Sequence, residues 1–522
     1  MASKYTRSVA SFSCITLLAC AASLGACADA DPDSEPLGLG ELAATPCSAT
    51  PSVDPAKSLV VTESAALAKF PLQTVMSKLL AGVNDTGQSP LELYQRWWDS
   101  QNTAAGGVFS DAIHCDDQLT NGVPSINGYP IQCPRNEGIL ATSDPFNPVL
   151  TNLHYMKPVA IVNRFDLAPL DGSHCGEYRI IYAKQSGVLN PLDRNLIIFE
   201  ATLPNPNPSC GLAGCRPVAE FWANLSTLSS AARAEAIKGF YFAGIPGFPE
   251  VLRPEHLGLP DASGARQGQI RTNQFTLAAL SEHIWQLREF QLDKVCGGGG
   301  GCKLRFKPTT VKNNPYGELW NPSFADTRTG AFQSASGFLA HVPSLAPQSV
   351  VAMGMGTDEQ FNAGESNSQT AALSGLENDY GIHLLLAGLN NSFAQSINAK
   401  LASIGRSDIN AQNIADRATT QSCGGCHELS SGDLLGGNGA NGLPLLWPLH
   451  SKPLSFVHVS ETSQLSKPLA EVFIPHRKQI LESYLSSTAC GTCGVSYQGL
   501  SAAQTSAIPG TGGPTIGGSI TH

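Results

Sequence analysis

The 522-residue sequence predicts an α+β fold: a loop-rich domain of mixed helices and strands over residues 58–385, then a small all-α domain over 386–498. Three observations carry that expectation. Short runs of β-branched and aromatic residues, broken by Gly, Pro and Asn, fill the stretch from Asn152 to Phe306. Segments at helical spacing flank it on both sides. Strands and helices follow one another without a regular βαβ beat, which favours α+β over a parallel α/β sheet. With 51 Gly and 35 Pro the chain is rich in turns, and its 42% hydrophobic content is enough for a packed core.

The elements read in order as follows. Lys4 and Arg7 precede an apolar run from Val9 to Ala22, too short to span a bilayer and suited to a signal peptide over residues 1–26. Residues 27–57 are acidic, Pro-rich and aperiodic, a flexible tether. Ser58 to Trp98 is helical, with Trp97 and Trp98 as core anchors. Val159–Val162, Tyr178–Tyr182, Leu196–Phe199 and Ile284–Leu292 read as strands, and Ser226–Tyr241 as a helix opened by a capping Ser/Thr cluster. Leu384–Ile404, Ile409–Thr420 and Leu465–Leu485 are the late helices, the last kinked or interrupted by Pro475. Residues 499–522 are a disordered Gly/Ser/Thr/Pro tail.

The signal region ends on Leu24-Gly25-Ala26-Cys27, which resembles the lipobox of bacterial lipoproteins. That resemblance implies a lipidated Cys27 as the first mature residue and a membrane anchor in the cell envelope. The following Ala28 implies, by analogy, the outer membrane, periplasmic or cell-surface. A weaker match stands at Leu17-Leu18-Ala19-Cys20, and an ordinary secretory signal cut near Ala26 or Ala28 is the alternative. The net charge of −10 argues against a nucleic-acid partner.

The chemistry-bearing motif is Cys423-Gly424-Gly425-Cys426-His427, a C-x-x-C-H run. Two thiols at this spacing add across the vinyl groups of haem, and the adjacent His is aimed at the iron. With 12 His in 522 residues, a His beside either of two C-x-x-C pairs arises by chance about one time in twenty. Export fits the motif, since c-type haem is attached outside the cytoplasm. From Ile409 to Leu485 the chain resembles the c-type cytochrome family in its order of helix, motif, loop-rich middle and C-terminal helix. The resemblance implies one covalent haem c, with Cys423 and Cys426 as thioether sites and His427 as proximal iron ligand. It covers under a fifth of the chain.

This sequence departs from the family in one respect: no Met follows Cys426, so the usual sixth ligand is missing. His458 and His450, in the loop-rich middle, are the candidate distal ligands, with His476 behind them; otherwise the sixth position is open. A Cys423–Cys426 disulfide, a redox-active dithiol and zinc are the competing readings of the motif.

Of 15 cysteines, Cys14 and Cys20 fall in the signal, Cys27 is the lipidation candidate and two serve haem, leaving ten for five disulfides. The expected pairs are Cys210–Cys215, Cys296–Cys302, Cys490–Cys493, Cys115–Cys133 and, by elimination, Cys47–Cys175. Polar residues crowd the strand-like runs: Asn163, Arg164, Asp166, Glu177, Arg179, Arg271, Asn273, Arg288 and Glu289. Convergence on one face would make a substrate pocket; simple alternation, with these groups facing water, is the favoured expectation. Asp116-Asp117 beside His114 lacks calcium-loop spacing and reads as a solvated turn.

Three functions follow. The first is an exported, lipid-anchored c-type haem protein exchanging electrons with an unidentified donor and acceptor. The second is an oxidoreductase with a substrate site in the α+β domain. The third is a haem-free, disulfide-stapled envelope binding protein. No hydrolase or nucleotide-binding motif is present.

Overall fold

The computed structural model describes residues 52–83, 87–278, 282–297, 301–368, 378–449 and 458–486, with the side chains of 276–284 outside that description. Within them the fold is α+β. The strands are β1 (Val60–Val61), β2 (Leu119–Thr120), β3 (Val123–Ile126), β4 (Tyr129–Pro130), β5 (Met156–Arg164), β6 (His174–Lys184) and β7 (Asn195–Pro204). Then come β8 (Gln269–Ala278), β9 (Glu282–Cys296), β10 (Cys302–Thr309), β11 (Ser366–Asn367), β12 (Leu434–Asn438) and β13 (Pro444–Leu446). An eight-stranded antiparallel sheet runs β1-β5-β6-β7-β8-β9-β10, and β11 also pairs with β9. All four expected strand runs lie in it.

Period-two alternation gives this sheet two unlike faces. Tyr178, Ile180 and Tyr182 of β6, Ile197 and Phe199 of β7, and Phe290 and Leu292 of β9 are buried in one apolar core. Helices Leu72–Gly82, Pro90–Asp99, Arg216–Asn224 and Ser230–Phe242 contribute to that core. Trp97 is its anchor, stacked on Phe306 at 3.9 Å and edge-on to Phe290 at 5.5 Å. The other face carries Arg164, Glu177, Arg179, Glu200 and Arg271.

Several expectations are corrected. The polar strand residues do not face water: Asn163, Arg164, Asp166, Glu177, Asn273, Arg288 and Glu289 are all buried. Residues 52–57, assigned to the tether, belong to the body; Val53 is buried, and Asp54 caps the short helix Pro55–Ser58. The run Leu384–Ile404 is two helices, Tyr380–Leu385 and Ser392–Ser403, because Gly388 adopts a left-handed φ of 90° between them. Cys175 pairs with Cys215, which overturns both Cys210–Cys215 and Cys47–Cys175; Cys115–Cys133 and Cys296–Cys302 form as expected. Cys47, Cys490 and Cys493 lie outside the described residues.

The separate all-α C-terminal domain is not delimited. Helices Ser392–Ser403 and Ala411–Gln421 share a core with Tyr316, Trp320 and Phe338, while helix Ile474–Ser486 joins the core of the main sheet. The β12–β13 hairpin also lies within this stretch. The apolar faces of its helices are completed by earlier parts of the chain, so the stretch closes over the sheet. No helix among the described residues is long and apolar enough to cross a membrane.

Candidate functional site: a cavity between the charged sheet face and the Cys-x-x-Cys-His turn

Helix Ala411–Gln421 begins with a capping box formed by Asn410 and Asn413 and delivers the chain to the motif. There Gly425 N–H donates to Ser422 Oγ at 3.0 Å, and Gly424 N–H donates to Ser366 Oγ of β11 at 2.9 Å. A side chain at either glycine would overlap backbone: the Thr419 carbonyl at Gly425, the Asn367 carbonyl at Gly424. The two glycines therefore let the turn lie directly on β11.

Cys423, Cys426 and His427 line a cavity with His458, Val459, Leu469 and Arg477 from the chain's end. The opposite wall is the polar face of the sheet, with Arg164 from β5, Glu177 and Arg179 from β6, Glu200 from β7, and Gln269, Arg271 and Asn273 from β8. About 1070 Å³ is free of atoms, part of it continuous with solvent. The expectation that these polar residues alternate toward water fails because the C-terminal stretch covers the face they occupy.

Register explains how the charges meet. Arg164 lies opposite Glu177, Arg179 opposite Glu200, and Arg271 opposite Glu289. Arg179 pairs with Glu177 at 2.7 Å and Glu200 at 3.1 Å; Arg271 reaches Glu289 at 2.9 Å and Glu200 at 3.4 Å. Burial pushes the Glu177 carboxyl up, but Arg179, Lys312 and Arg164 outweigh it and hold it below the usual range. Burial works against the Arg271 charge, and Glu200 and Glu289 more than restore it.

Neither motif thiol is in a disulfide. Burial pushes the Cys423 thiol up to about 11, and Cys426 is raised by burial and by Cys423. His427 stacks on Trp285 with ring centres 4.3 Å apart. His427 and His458 have centres 4.7 Å apart and are tilted by 49°. His458 Nε2 stands 3.9 Å from Cys426 Sγ, so this candidate ligand lies at the cavity beside the motif. His450 and Cys27 lie outside the described residues. His476 shares a helix with Arg477 but does not line the cavity. His114 N–H donates to Asp117; Asp117 is exposed, but His114 is buried with its ring 3.5 Å from Asp99, so the turn is solvated on its acidic side only.

Sequence reasoning did not single out Glu200, Trp285, Lys312 or Arg477. Glu200 carried a signal: it continues the Leu196, Ile198 parity of its strand. Arg477 carried none, since only tertiary packing brings it to the sheet.

Comparison with protein-family models, with curated proteins and with solved structures finds no match for this chain.

Proposed function

We propose that this is an exported, lipid-anchored c-type haem protein of the cell envelope that takes part in electron transfer. The observation that carries the reading is the convergence of Cys423, Cys426 and His427 on one cavity, with neither cysteine in a disulfide. A redox-active dithiol needs a lowered thiol pKa, and burial here drives both thiols the other way. Neutral thiols facing a cavity suit thioether formation, and the residues present fit haem on one side: Cys423 and Cys426 would hold it, with His427 as the iron ligand. When bound, haem c supplies an iron that accepts and returns one electron. Trp285 stacks on the His427 ring, the Ser366 hydroxyl of β11 holds the turn, and Val459 and Leu469 line the same cavity with apolar side chains.

A second reading, a haem-linked oxidoreductase, is favoured by one further observation. The charged sheet face and the haem motif are two walls of the same cavity.

The test is the mass and spectrum of the full chain matured in a host that attaches c-type haem. One covalent haem, with a haemochrome spectrum lost in C423S/C426S, and acylation lost in C27S are expected. A Cys423–Cys426 disulfide in the wild-type protein would overturn the haem reading in favour of the envelope binding protein.

A further inference from the structure

At one end of the cavity two guanidinium groups share one carboxylate. Arg164 grips Asp166 with both ends of its fork, donating from Nε at 3.1 Å and from Nη2 at 2.9 Å. Arg477, arriving from helix Ile474–Ser486, stands 3.9 Å from the same carboxylate, beyond hydrogen-bond range. That is its one ion pair among the described residues. Arg164 is 1% exposed and Arg477 7%, and both line the cavity while Asp166 does not.

The charges divide unevenly along the cavity. The cations Arg164, Arg179, Arg271, Lys312 and Arg477 line the cavity, and the carboxylates within reach of them are Asp166, Glu177, Glu200 and Glu289. Lys312 is exposed and its charge is solvated, so four arginines face four carboxylates, and at Asp166 two of them, Arg164 and Arg477, meet one. Glu177, Glu200 and Glu289 pair with Arg179 and Arg271, so the positive end of the cavity is at Arg164 and Arg477. Burying a guanidinium whose one carboxylate partner stands 3.9 Å away is costly, and a built cavity beside it lets an anion relieve the cost. Burial and the neighbouring Arg164 both act against the Arg477 charge, which is the strain an anion would remove.

We infer that Arg477 and Arg164 form a subsite for the carboxylate or oxyanion group of a small anionic ligand, bound beside Cys426 and His427. The planar forks of two arginines match a carboxylate or a phosphate edge, whereas a neutral ligand would leave the excess charge in place. The subsite stands on charge and geometry. Only its role as a substrate site, next to a redox centre, rests on the haem reading above.

The experiment is calorimetric titration of the full chain with acetate and with inorganic phosphate, in haem-loaded wild type and in haem-free C423S/C426S. Binding of at least one probe to the haem-loaded protein is expected. R477Q should weaken it 10-fold or more, R477K should recover part of the loss, and D166N, which removes the competing carboxylate, should tighten it. A folding defect would weaken binding in both R477Q and D166N, so their opposite signs separate the site from simple damage. Absence of binding to wild type, or equal affinity in R477Q, overturns the proposal. Binding to the haem-free protein alone also overturns it, because the subsite would then belong to a carboxylate of the haem itself. If no haem is attached yet the anion still binds and R477Q weakens it, the haem reading fails and the subsite stands.

Discussion

Trp285 and His427 stack with ring centres 4.3 Å apart and planes 13° from parallel, joining strand β9 to the Cys-x-x-Cys-His turn. Trp285 is itself held through its backbone, since its N–H donates to Ser368 Oγ and its carbonyl accepts from Ser368 N–H, both at 3.0 Å. The ring of His427 therefore inherits its orientation from the sheet.

This stack separates positioning from stability. W285A and F306A each remove a large buried ring, at a cost of about 3 to 5 kcal/mol in urea unfolding. Phe306 packs on the opposite face, against Trp97. W285A should lower the yield of covalent haem several-fold more than F306A does, and W285F should restore most of it. Equal losses in W285A and F306A would mean that the indole acts through stability alone.

Arg194 and Glu461 form a second tie between the sheet and the chain's end, with nitrogen–oxygen distances of 2.7 and 3.0 Å and both residues buried. Glu461 lies three residues after His458, so the pair anchors the segment that brings His458 to the cavity. Removing one partner leaves a buried charge alone. R194A should cost about 3 to 5 kcal/mol by urea denaturation, and R194A/E461A clearly less than the two single changes added together. Additive losses would show that the pair is not coupled.

Much of this was legible in the sequence where the signal is local. The strand runs around Ile180 and Ile197, the helix at Ile414 and the short Cys296–Cys302 link depend on neighbours in the chain, and each was readable. Arg179 was read as water-facing because alternation says which residues share a face, not what covers it. The cover is supplied by Cys426, Leu469 and Arg477, hundreds of residues away. Cys175–Cys215 was missed for the same reason: spacing favoured Cys210–Cys215, but β6 carries Cys175 to the start of helix Arg216–Asn224. The separate C-terminal domain failed because amphipathic helices reveal that they need a partner without naming it.

The disulfides should differ in weight. Cys175–Cys215 spans a sequence separation of 40, and Cys296–Cys302 one of 6 at the end of a hairpin already closed by strand pairing. Loop-closure entropy assigns about 4 kcal/mol to the first and about 2 kcal/mol to the second. C175A/C215A should therefore lower the denaturation midpoint more than C296A/C302A, measured without reductant. The reverse order would show that the short bridge restrains more than its own hairpin.

The pH dependence of stability contains an isolable term at Asp416, on helix Ala411–Gln421. Burial pushes its carboxyl up to about 7, with Asp379 and Asp433 adding like-charge repulsion against a lowering hydrogen bond from Gln412. The folded chain then holds a proton that the unfolded chain, near 3.8, has released, so this group makes stability fall as pH rises from about 4 to 7. His174, His256 and His341 act oppositely. Burial holds each at about 4 in the folded chain against 6.5 unfolded, so their effect is lost stability as pH falls through that window. D416N removes the first effect and leaves the histidines in place. At pH 8 it should be more stable than the parent by about 2 to 4 kcal/mol, a gap that narrows to below about 1 kcal/mol at pH 4, close to the unfolded value of 3.8. Chemical denaturation at pH 4, 6 and 8 measures it. A gap constant across the three would mean that the Asp416 carboxyl does not titrate in this window.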